Sequence, residues 1–372
     1  MRAITAKYIF DGVKLLTNHA VLIADGLIVD LVELKNVHDQ SLIEDYGNTV
    51  ISAGFIDLQL NGCGGVLFND SISFETLETM HQTNLKSGCT SYLPTLITSS
   101  IDDVKTALEV VKDWFKKFGN ARGVIGLHLE GPFLSHVKRG IHPDNYIISP
   151  TQEILEHIVK YIKYYPIKLT LAPEKFTEEQ IKFLVKHGVI VSIGHSNATF
   201  DEAQMAINAG ASTATHLFNA MSGLTGRNPG VIGAILSNSC YAGLIVDLLH
   251  VDKNSVKLVT KMKPTSIYLV TDAVTPTATD MTEFDFAGKH LYVKDGKCVD
   301  SDGTLGGAYL TMNEAVKNCV LHCDISLEQA LAMATIVPAQ LMGLPNEIGN
   351  IQKGLRADLV SLNLADYSTK II

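Results

Sequence analysis

The 372-residue sequence contains no long uninterrupted run of apolar residues and no excess of basic residues. No apolar run approaches the roughly 20 residues that a membrane-spanning helix needs, so a transmembrane segment is not expected. The 30 Lys and Arg residues are outnumbered by 39 Asp and Glu, and the net charge of −9 disfavours nonspecific nucleic-acid binding. An anionic ligand would therefore need a local cluster of basic groups.

Cysteine is also scarce, since six residues occur and none has the Cys-x-x-Cys spacing of redox or zinc motifs. The initial residues MRAITAKYIFDG lack the apolar core and the small-residue cleavage site of a signal peptide. Both absences favour a reduced, cytoplasmic location. Cys319 and Cys323 lie in an apolar helical pattern, which favours core packing over metal binding.

What the sequence does contain is a globular composition, 46% hydrophobic and 19% charged. From residue 54 onward, short apolar runs alternate with amphipathic windows of helical spacing, of which 100–119 and 199–210 begin with capping signals and end in glycine. Eight buried strands alternating with helices predict an α/β fold, a (β/α)₈ TIM-like barrel. The eight runs are 54–60, 90–95, 124–130, 167–173, 189–195, 211–218, 242–249 and 266–272.

The two ends of the chain have a different pattern. The first fifty residues form short alternating segments with a hairpin signal at Asp25-Gly26, and the last residues return to strand character. We therefore expect a small discontinuous β-sandwich domain, formed by residues 1–52 and 346–372, beside a barrel over residues 53–345. Two further Asp-Gly turns predict a β-hairpin insertion near residues 279–303.

Polar side chains stand at the ends of several predicted strands. In a (β/α)₈ barrel the functional groups lie at the C-terminal strand ends, so these side chains would converge at one mouth. Glu130 ends the run GVIGLHLE, and a carboxylate at that depth needs a counter-ion or a metal. One carboxylate and two imidazoles with an open fourth position are typical of a catalytic zinc or a similar divalent ion. The other polar strand ends are Asn61, His195, His216, Asp247 with His250, and Asp272.

Each of these residues also has a plain structural explanation. A lone histidine at a strand end is more often a hydrogen-bonded structural residue than a ligand. Ser196 after His195 is a candidate helix cap, and Asp272 is a candidate loop cap. His128 shares a strand face with Glu130 and is expected to support the site rather than to bind a metal. Only the joint placement of these residues favours a metal site.

Eight motifs, taken together, resemble a known family. In their order along the chain they resemble the N-acetylglucosamine-6-phosphate deacetylases of the amidohydrolase superfamily, and the similarity covers nearly the whole sequence. The resemblance implies hydrolysis of the acetamide of N-acetyl-D-glucosamine 6-phosphate to D-glucosamine 6-phosphate and acetate, in amino-sugar catabolism and cell-wall recycling. The motifs are GFIDLQLNGCGG, HLEGPFLSHVKRGIH, TLAPE, GHSNAT, THLFNAM, DLLHVD, LVTDAV and GTLGGAYLTM.

The resemblance also implies roles for individual residues. Glu130, His195 and His216 match the ligands of one divalent metal ion per subunit, with Zn²⁺ expected first and Fe²⁺, Co²⁺ or Mn²⁺ left open. Asp272 matches the catalytic aspartate. Arg227 and His250 match a basic pair that completes the phosphate site of the neighbouring subunit in a homodimer or a dimer of dimers. Further substrate contacts are implied for His142 near the acetyl group and for Gly131, Asn219 and Ala220.

Three places depart from the family pattern. Many amidohydrolases hold two metals with His-x-His at the end of the first strand, where this chain has Gln59 and Asn61. Amides are poor substitutes for imidazole, so Gln59 and Asn61 are expected to be vestigial metal positions beside a single ion. Leu248 stands where the family usually has Gly, and Ala308 stands where it usually has Ser.

Three alternative functions stay open at this point. An N-acetylgalactosamine-6-phosphate deacetylase would carry the same motifs. A cyclic-amide hydrolase on the same barrel is disfavoured because its two-metal site needs His-x-His. A non-catalytic amidohydrolase-like binding module is disfavoured because the three candidate ligands and Asp272 are all present.

Overall fold

The computed structural model describes residues 1–39 and 42–372. Before the barrel lie β1 (Arg2–Thr5), β2 (Tyr8–Phe10), β3 (Leu15–Leu16), β4 (His19–Ala24), β5 (Leu27–Glu33), β6 (Ile43–Asp45) and β7 (Thr49–Ala53). The barrel segment contains β8 (Phe55–Leu60), β9 (Gly62–Cys63), β10 (Val66–Leu67), β11 (Cys89–Ile97), β12 (Leu127–Glu130), β13 (Ile167–Leu171), β14 (Ile190–Ile193), β15 (Thr213–Ala214), β16 (Tyr241–Leu244) and β17 (Ile267–Leu269). The remaining strands are β18 (Glu283–Phe286), β19 (Lys289–Lys294), β20 (Lys297–Val299), β21 (Leu305–Ala308), β22 (Leu359–Asn363) and β23 (Thr369–Ile371).

Helices follow most of the barrel strands. They are α1 (Phe74–Leu85), α2 (Ile101–Phe118), α3 (Gln152–Val159), α4 (Glu178–Lys186), α5 (Phe200–Asn208), α6 (Gly230–Ser237), α7 (Lys253–Met262), α8 (Met312–His322), α9 (Leu327–Ala334) and α10 (Ile336–Leu341). Among the residues that the structure describes, no helix has both the length and the apolar character needed to cross a membrane. Cys319 in α8 and the following Cys323 are buried, as core packing requires.

The two helical windows singled out in the sequence form α2 and α5. At the start of α2, Ser100 Oγ accepts the backbone N–H of Asp103 at 3.1 Å, and Gly119 ends the helix with a φ of 60°. At the start of α5, Thr199 and Glu202 form a reciprocal capping box. These contacts satisfy backbone donors that the first helical turn leaves without partners.

Eight parallel strands form one sheet, in which β8 and β11 to β17 are neighbours in chain order. The sheet closes on itself after β17, where the backbone N–H of Asp272 donates to Gln59 O of β8 at 2.9 Å and Ala273 bridges to Leu60. The (β/α)₈ barrel is therefore confirmed, and all eight predicted runs carry a strand. The sixth run carries the shortest barrel strand, because regular pairing ends at Ala214.

The barrel strands are buried on both sides. In β8, Ile56 and Leu58 belong to the main hydrophobic core, whereas Asp57 and Gln59 bond to groups inside the barrel. Burial raises the pKa of Asp57 to about 7 and lowers the pKa of the fully buried Lys168 to about 8. Polar side chains below the mouth are thus held in place by the barrel itself.

Strands from both chain ends meet in the smaller sheets. One sheet has the order β23, β22, β7, β2, β3, and a second has the order β5, β4, β1, β6. A separate apolar core holds Ile4, Val21, Ile51 and Leu359 together. The division of the chain near residues 52 and 346 stays a prediction.

The insertion after the barrel is a four-stranded antiparallel sheet in the order β18, β19, β20, β21. The expected hairpin is its central pair, which turns at Asp295-Gly296. A further turn at Ala287-Gly288, with φ values of 55° and 75°, carries no Asp-Gly signal and therefore escaped prediction. At the end of β21, the backbone N–H of Ala308 donates to Asp272 O at 2.9 Å, which ties the insertion to the barrel mouth.

Candidate active site

The C-terminal ends of the barrel strands surround a cavity of about 330 Å³. Nine of the residues singled out in the sequence line this cavity: Asn61, Glu130, His142, His195, His216, Asn219, Ala220, His250 and Asp272. Five other candidate site residues do not line it: Gln59, His128, Gly131, Arg227 and Asp247. The strand-end argument therefore brings most of its candidates into one place.

Three side chains at the bottom of the cavity form a candidate metal centre. Glu130 ends β12, His195 follows β14 and His216 follows β15, and all three are buried. Their ligand atoms lie within 4.8 Å of one another. Glu130 Oε1 is 3.2 Å from His195 Nε2 and 3.0 Å from His216 Nε2, and the two Nε2 atoms are 3.1 Å apart.

The hydrogen bonding of His195 tests whether these residues suit a cation. Its Nδ1–H donates to Lys138 O at 2.9 Å, which leaves Nε2 as the ring nitrogen that would bind a metal ion. Nε2 lies 3.2 Å from the Glu130 carboxylate, and a buried carboxylate beside this nitrogen is stabilised by a positive charge between the two groups. His216 Nδ1 has no hydrogen-bond partner in the described part of the chain. The donor set of one carboxylate and two imidazoles fits a divalent ion.

The same closeness shifts the pKa values of these groups. Burial alone would raise the pKa of Glu130, but its contacts with His195 and His216 hold that pKa well below the usual value. Burial works against the charge on His216, yet Glu130 raises the pKa of that imidazole. Burial and the nearby Glu130 raise the pKa of Asp272. The pKa values of Glu130 and Asp272 are thus shifted in opposite directions, so the two carboxyl groups can take different roles.

Two amides hold Asp272. Its Oδ1 accepts from Gln59 Nε2 at 3.1 Å and from Asn61 Nδ2 at 2.7 Å, and no hydrogen bond to Oδ2 occurs within residues 1–39 and 42–372. Gln59 Nε2 also lies 3.1 Å from both carboxylate oxygens of Glu130. The two residues at the position of the His-x-His motif therefore donate hydrogen bonds to the acidic groups of the site.

His142 is held as a neutral hydrogen-bond donor. Its Nδ1 accepts the backbone N–H of Thr98 at 3.3 Å and lies 2.9 Å from Thr98 Oγ1, so the ring proton is on Nε2. The ring lies 4.2 Å from the ring of His195, centroid to centroid. Burial, with His195 adding to it, keeps the pKa of His142 well below the usual value.

Several residues of the mouth have a backbone conformation that non-glycine residues rarely adopt. The φ values are 46° for His195, 28° for His216, 50° for Ala220 and 52° for Asp272. Such residues cost about 1–3 kcal/mol each and persist where the surrounding structure holds them, often at functional sites. Leu248 has a φ of 67°, which explains in physical terms why a glycine suits this place.

The structure separates the predicted basic pair. His250 lines the cavity of its own chain, and its Nδ1–H donates to Asp247 Oδ2 at 2.6 Å. This placement is contrary to the expectation that His250 is contributed across a subunit interface. Arg227 is exposed and lies at a different cavity of about 680 Å³, beside the start of α5.

Gly131 and His128 do not line the cavity and are instead packed in the structure next to it. Gly131 has a φ of 106°, and a Cβ atom there would lie 2.2 Å from Thr98 Oγ1, so no other residue fits. His128 is bonded to Thr95 Oγ1 at 3.2 Å and to Thr170 Oγ1 at 2.7 Å inside the barrel. Its hydrogen bonds therefore go to threonines below the metal group.

The insertion supplies a wall that the strand-end argument missed. Phe286, Thr304, Leu305 and Gly307 line the cavity. A Cβ atom on Gly307 would lie 2.3 Å from Val274 Cγ1, so a glycine is needed for this close approach. Thr304, Leu305 and Gly307 belong to the motif GTLGGAYLTM. The motif does not follow any of the eight predicted barrel strands, so the strand-end argument did not place it at the mouth.

Comparison with known proteins agrees with this geometry. The profile of the amidohydrolase family matches residues 50–372. The N-acetylglucosamine-6-phosphate deacetylase of Haemophilus influenzae is 40% identical over 354 residues, which cover 94% of this chain and 92% of the relative. The N-acetylgalactosamine-6-phosphate deacetylase of Shewanella sp. is 39% identical over 368 residues, which cover 95% and 92%.

A solved structure is equally similar. The crystal structure of N-acetylglucosamine-6-phosphate deacetylase from Pasteurella multocida has a TM-score of 0.95 and 43% identity, covering 99% of this chain and 96% of the other. Sequence, fold and the buried Glu-His-His group thus agree. The chain belongs to the amidohydrolase family, in the branch that contains the N-acetylglucosamine-6-phosphate deacetylases.

Proposed function

We propose that this protein hydrolyses the acetamide of N-acetyl-D-glucosamine 6-phosphate to D-glucosamine 6-phosphate and acetate. The observation that carries the proposal is the convergence of Glu130, His195, His216 and Asp272 on one cavity in a chain of this family. Named relatives of this activity support the substrate class, a phosphorylated amino sugar. Amino-sugar catabolism and cell-wall recycling are the processes that such a reaction serves.

Glu130, His195 and His216 would hold one divalent ion per subunit. Zn²⁺ suits this ligand set, and Fe²⁺, Co²⁺ and Mn²⁺ are the other candidates. When bound, such an ion supplies Lewis-acid chemistry, polarising a carbonyl oxygen and making water a better nucleophile near neutral pH. The protein supplies the rest of the chemistry through Asp272 and His142.

Asp272 acts as general base and then as general acid. Gln59 and Asn61 occupy its Oδ1, which leaves Oδ2 as the atom that takes a proton from the attacking water. The raised pKa of Asp272 makes the carboxyl group competent to hold that proton and to return it. Because an amine is a poor leaving group, the nitrogen must receive the proton before the C–N bond breaks.

His142 stabilises the charge that develops on the acetamide oxygen. Its Nε2–H is the group left for a ligand, since Nδ1 is occupied by Thr98. A neutral donor strengthens its hydrogen bond as the oxygen becomes negative, without giving up its proton. Asn219, Ala220 and His250 line the same cavity, where they would contact the sugar and its phosphate.

The test of the proposal is acetate release from the two sugar epimers. With metal-loaded protein, kcat/KM for N-acetylglucosamine 6-phosphate is expected to exceed that for N-acetylgalactosamine 6-phosphate. The reverse order would establish the alternative that the Shewanella relative represents. No acetate from either sugar, with one metal bound per chain by elemental analysis, would leave a binding module.

We further propose that Arg227 binds the phosphate group of the substrate in a neighbouring subunit of a homodimer. Arg227→Ala is then expected to raise KM for the phosphorylated sugar about 10- to 100-fold, because a hydrogen bond to a charged group contributes about 1.5–3 kcal/mol. KM for unphosphorylated N-acetylglucosamine should hardly change. Steady-state kinetics on both sugars measures the split.

Arg2→Ala is the control, since Arg2 is an exposed arginine that pairs with Glu44 far from the cavity. Light scattering on both variants verifies that the assembly is intact. An equal rise in KM for the phosphorylated and the unphosphorylated sugar would show that Arg227 does not bind the phosphate.

A further inference from the structure

The motif TLAPE ends in Glu174, a carboxylate that takes no part in the proposed mechanism. Glu174 lies in the short turn Pro173–Lys175 that follows β13, on the same side of the barrel as the metal group. Its Oε2 accepts the hydroxyl of Ser196 at 2.7 Å, and its Oε1 accepts the backbone N–H of Asn197 at 2.7 Å. Both partners follow directly after the candidate ligand His195.

Ser196 in turn contacts the loop that carries the candidate substrate contacts. Its backbone N–H donates to Ala220 O at 3.1 Å, and its backbone O accepts from Ser222 N–H at 3.0 Å. Ser196 is fully buried, and its Oγ also accepts the backbone N–H of Ala198 at 3.0 Å. One residue therefore joins Glu174 to the loop after β14 and to the loop after β15.

These two loops contain residues with a strained backbone conformation, which neighbouring contacts must stabilise. His195 has a φ of 46° and Ala220 has a φ of 50°. Such conformations persist only where the surrounding contacts fix them. Glu174 provides two charge-assisted hydrogen bonds from the end of a barrel strand, which are stronger than neutral ones. The carboxylate is thus placed to fix both loops at once.

We propose that Glu174 is a positioning residue that couples metal binding to substrate binding. By holding Ser196 and Asn197 it keeps His195 aimed at the metal position and keeps Ala220 at the cavity wall. The inference rests on the proposed function for the role of Ala220, but its metal-binding part does not depend on turnover.

Glu174→Ala is expected to raise the dissociation constant of the metal about tenfold or more, the size typical for loss of a group that orients a ligand. Competition with a chromophoric chelator measures this on the full chain with Zn²⁺ and without substrate. At saturating metal, KM for N-acetylglucosamine 6-phosphate should also rise, whereas kcat should stay within about threefold because Asp272 and His142 are untouched.

Glu178→Ala is the matched control. Glu178 lies four residues further along, at the start of α4, and pairs with Lys182 of the same helix at 2.6 Å. Its metal dissociation constant and KM should equal the wild-type values. Glu174→Gln should restore most of both values, because the amide still offers an oxygen to Asn197 and an N–H to Ser196.

A wild-type metal dissociation constant and KM in Glu174→Ala, with only a lower thermal midpoint, would overturn the proposal. If Glu174→Ala does not fold, Ser196→Ala removes one of the two hydrogen bonds and is measured in the same way. Unchanged values there would equally overturn it. Failure of the wild-type protein to release acetate would instead refute the proposed function, since the chelator competition needs no turnover.

Discussion

Asp272→Asn is expected to lower kcat about 10²- to 10⁴-fold, the contribution typical of general acid–base catalysis. The amide oxygen can still accept from Gln59 and Asn61, so the side chain keeps its place. It has no basic oxygen to take a proton from water or to return one to the amine. Bound metal per chain should equal that of the wild type, because Glu130, His195 and His216 are unchanged.

The pH profile gives the same prediction a second readout. Asp272 must be ionised to accept a proton, and burial together with Glu130 raises its pKa. Activity of the wild type should therefore fall as the pH drops through a value above the usual aspartate range. This acidic limb should be missing from the residual activity of Asp272→Asn.

Acetate release, elemental analysis and a pH series of kcat/KM are the measurements. Asp280→Asn is the control, because Asp280 is exposed and lies eight residues further along the chain. Turnover near the wild-type level in Asp272→Asn would show that Asp272 is not the base.

Glu130→Gln is expected to abolish stabilisation by metal. An ion that binds only the folded protein stabilises it by about 4 kcal/mol when its free concentration is about a thousand times Kd. Wild-type protein, stripped of metal and titrated with Zn²⁺, should therefore show a higher midpoint of thermal unfolding. The glutamine lacks the charge that offsets the cation between two imidazoles, so its midpoint should not respond.

Glu156→Gln serves as the control, since Glu156 is exposed on α3 and accepts a hydrogen bond from Gln152 of the same helix. Its midpoint should rise with Zn²⁺ as the wild-type midpoint does. Equal stabilisation of Glu130→Gln and wild type would place the metal elsewhere.

The barrel was predictable because its strands are buried on both sides. A strand such as β8, with all six residues buried, reads as a short apolar run that helical periodicity does not explain. The rule that functional groups lie at strand ends then brought Glu130 and Asp272 to one mouth. The amino-acid composition alone predicts neither the barrel nor the placement of these two residues.

Other features depend on conformation that a sequence pattern does not encode. The sixth run was expected as a strand over 211–218, but pairing ends at Ala214 and the backbone turns away, with a φ of 28° at His216. That turn directs His216 toward Glu130. It contains no glycine at His216, so the sequence pattern does not predict it. The role of Glu174 is not predictable from the sequence, because its partners are a hydroxyl and a backbone N–H in the loop after another strand.

The pairing of β7 with β22 has a consequence for how the chain matures. The two strands lie side by side, although about 310 residues separate Thr49–Ala53 from Leu359–Asn363. At a ribosomal rate of about 5–20 residues per second, β7 waits roughly 15–60 s for its partner. Contacts of such sequence separation form late and slowly. During that interval Ile51 lacks its packing against Leu359, so nascent chains should depend on chaperones until β22 has been synthesised.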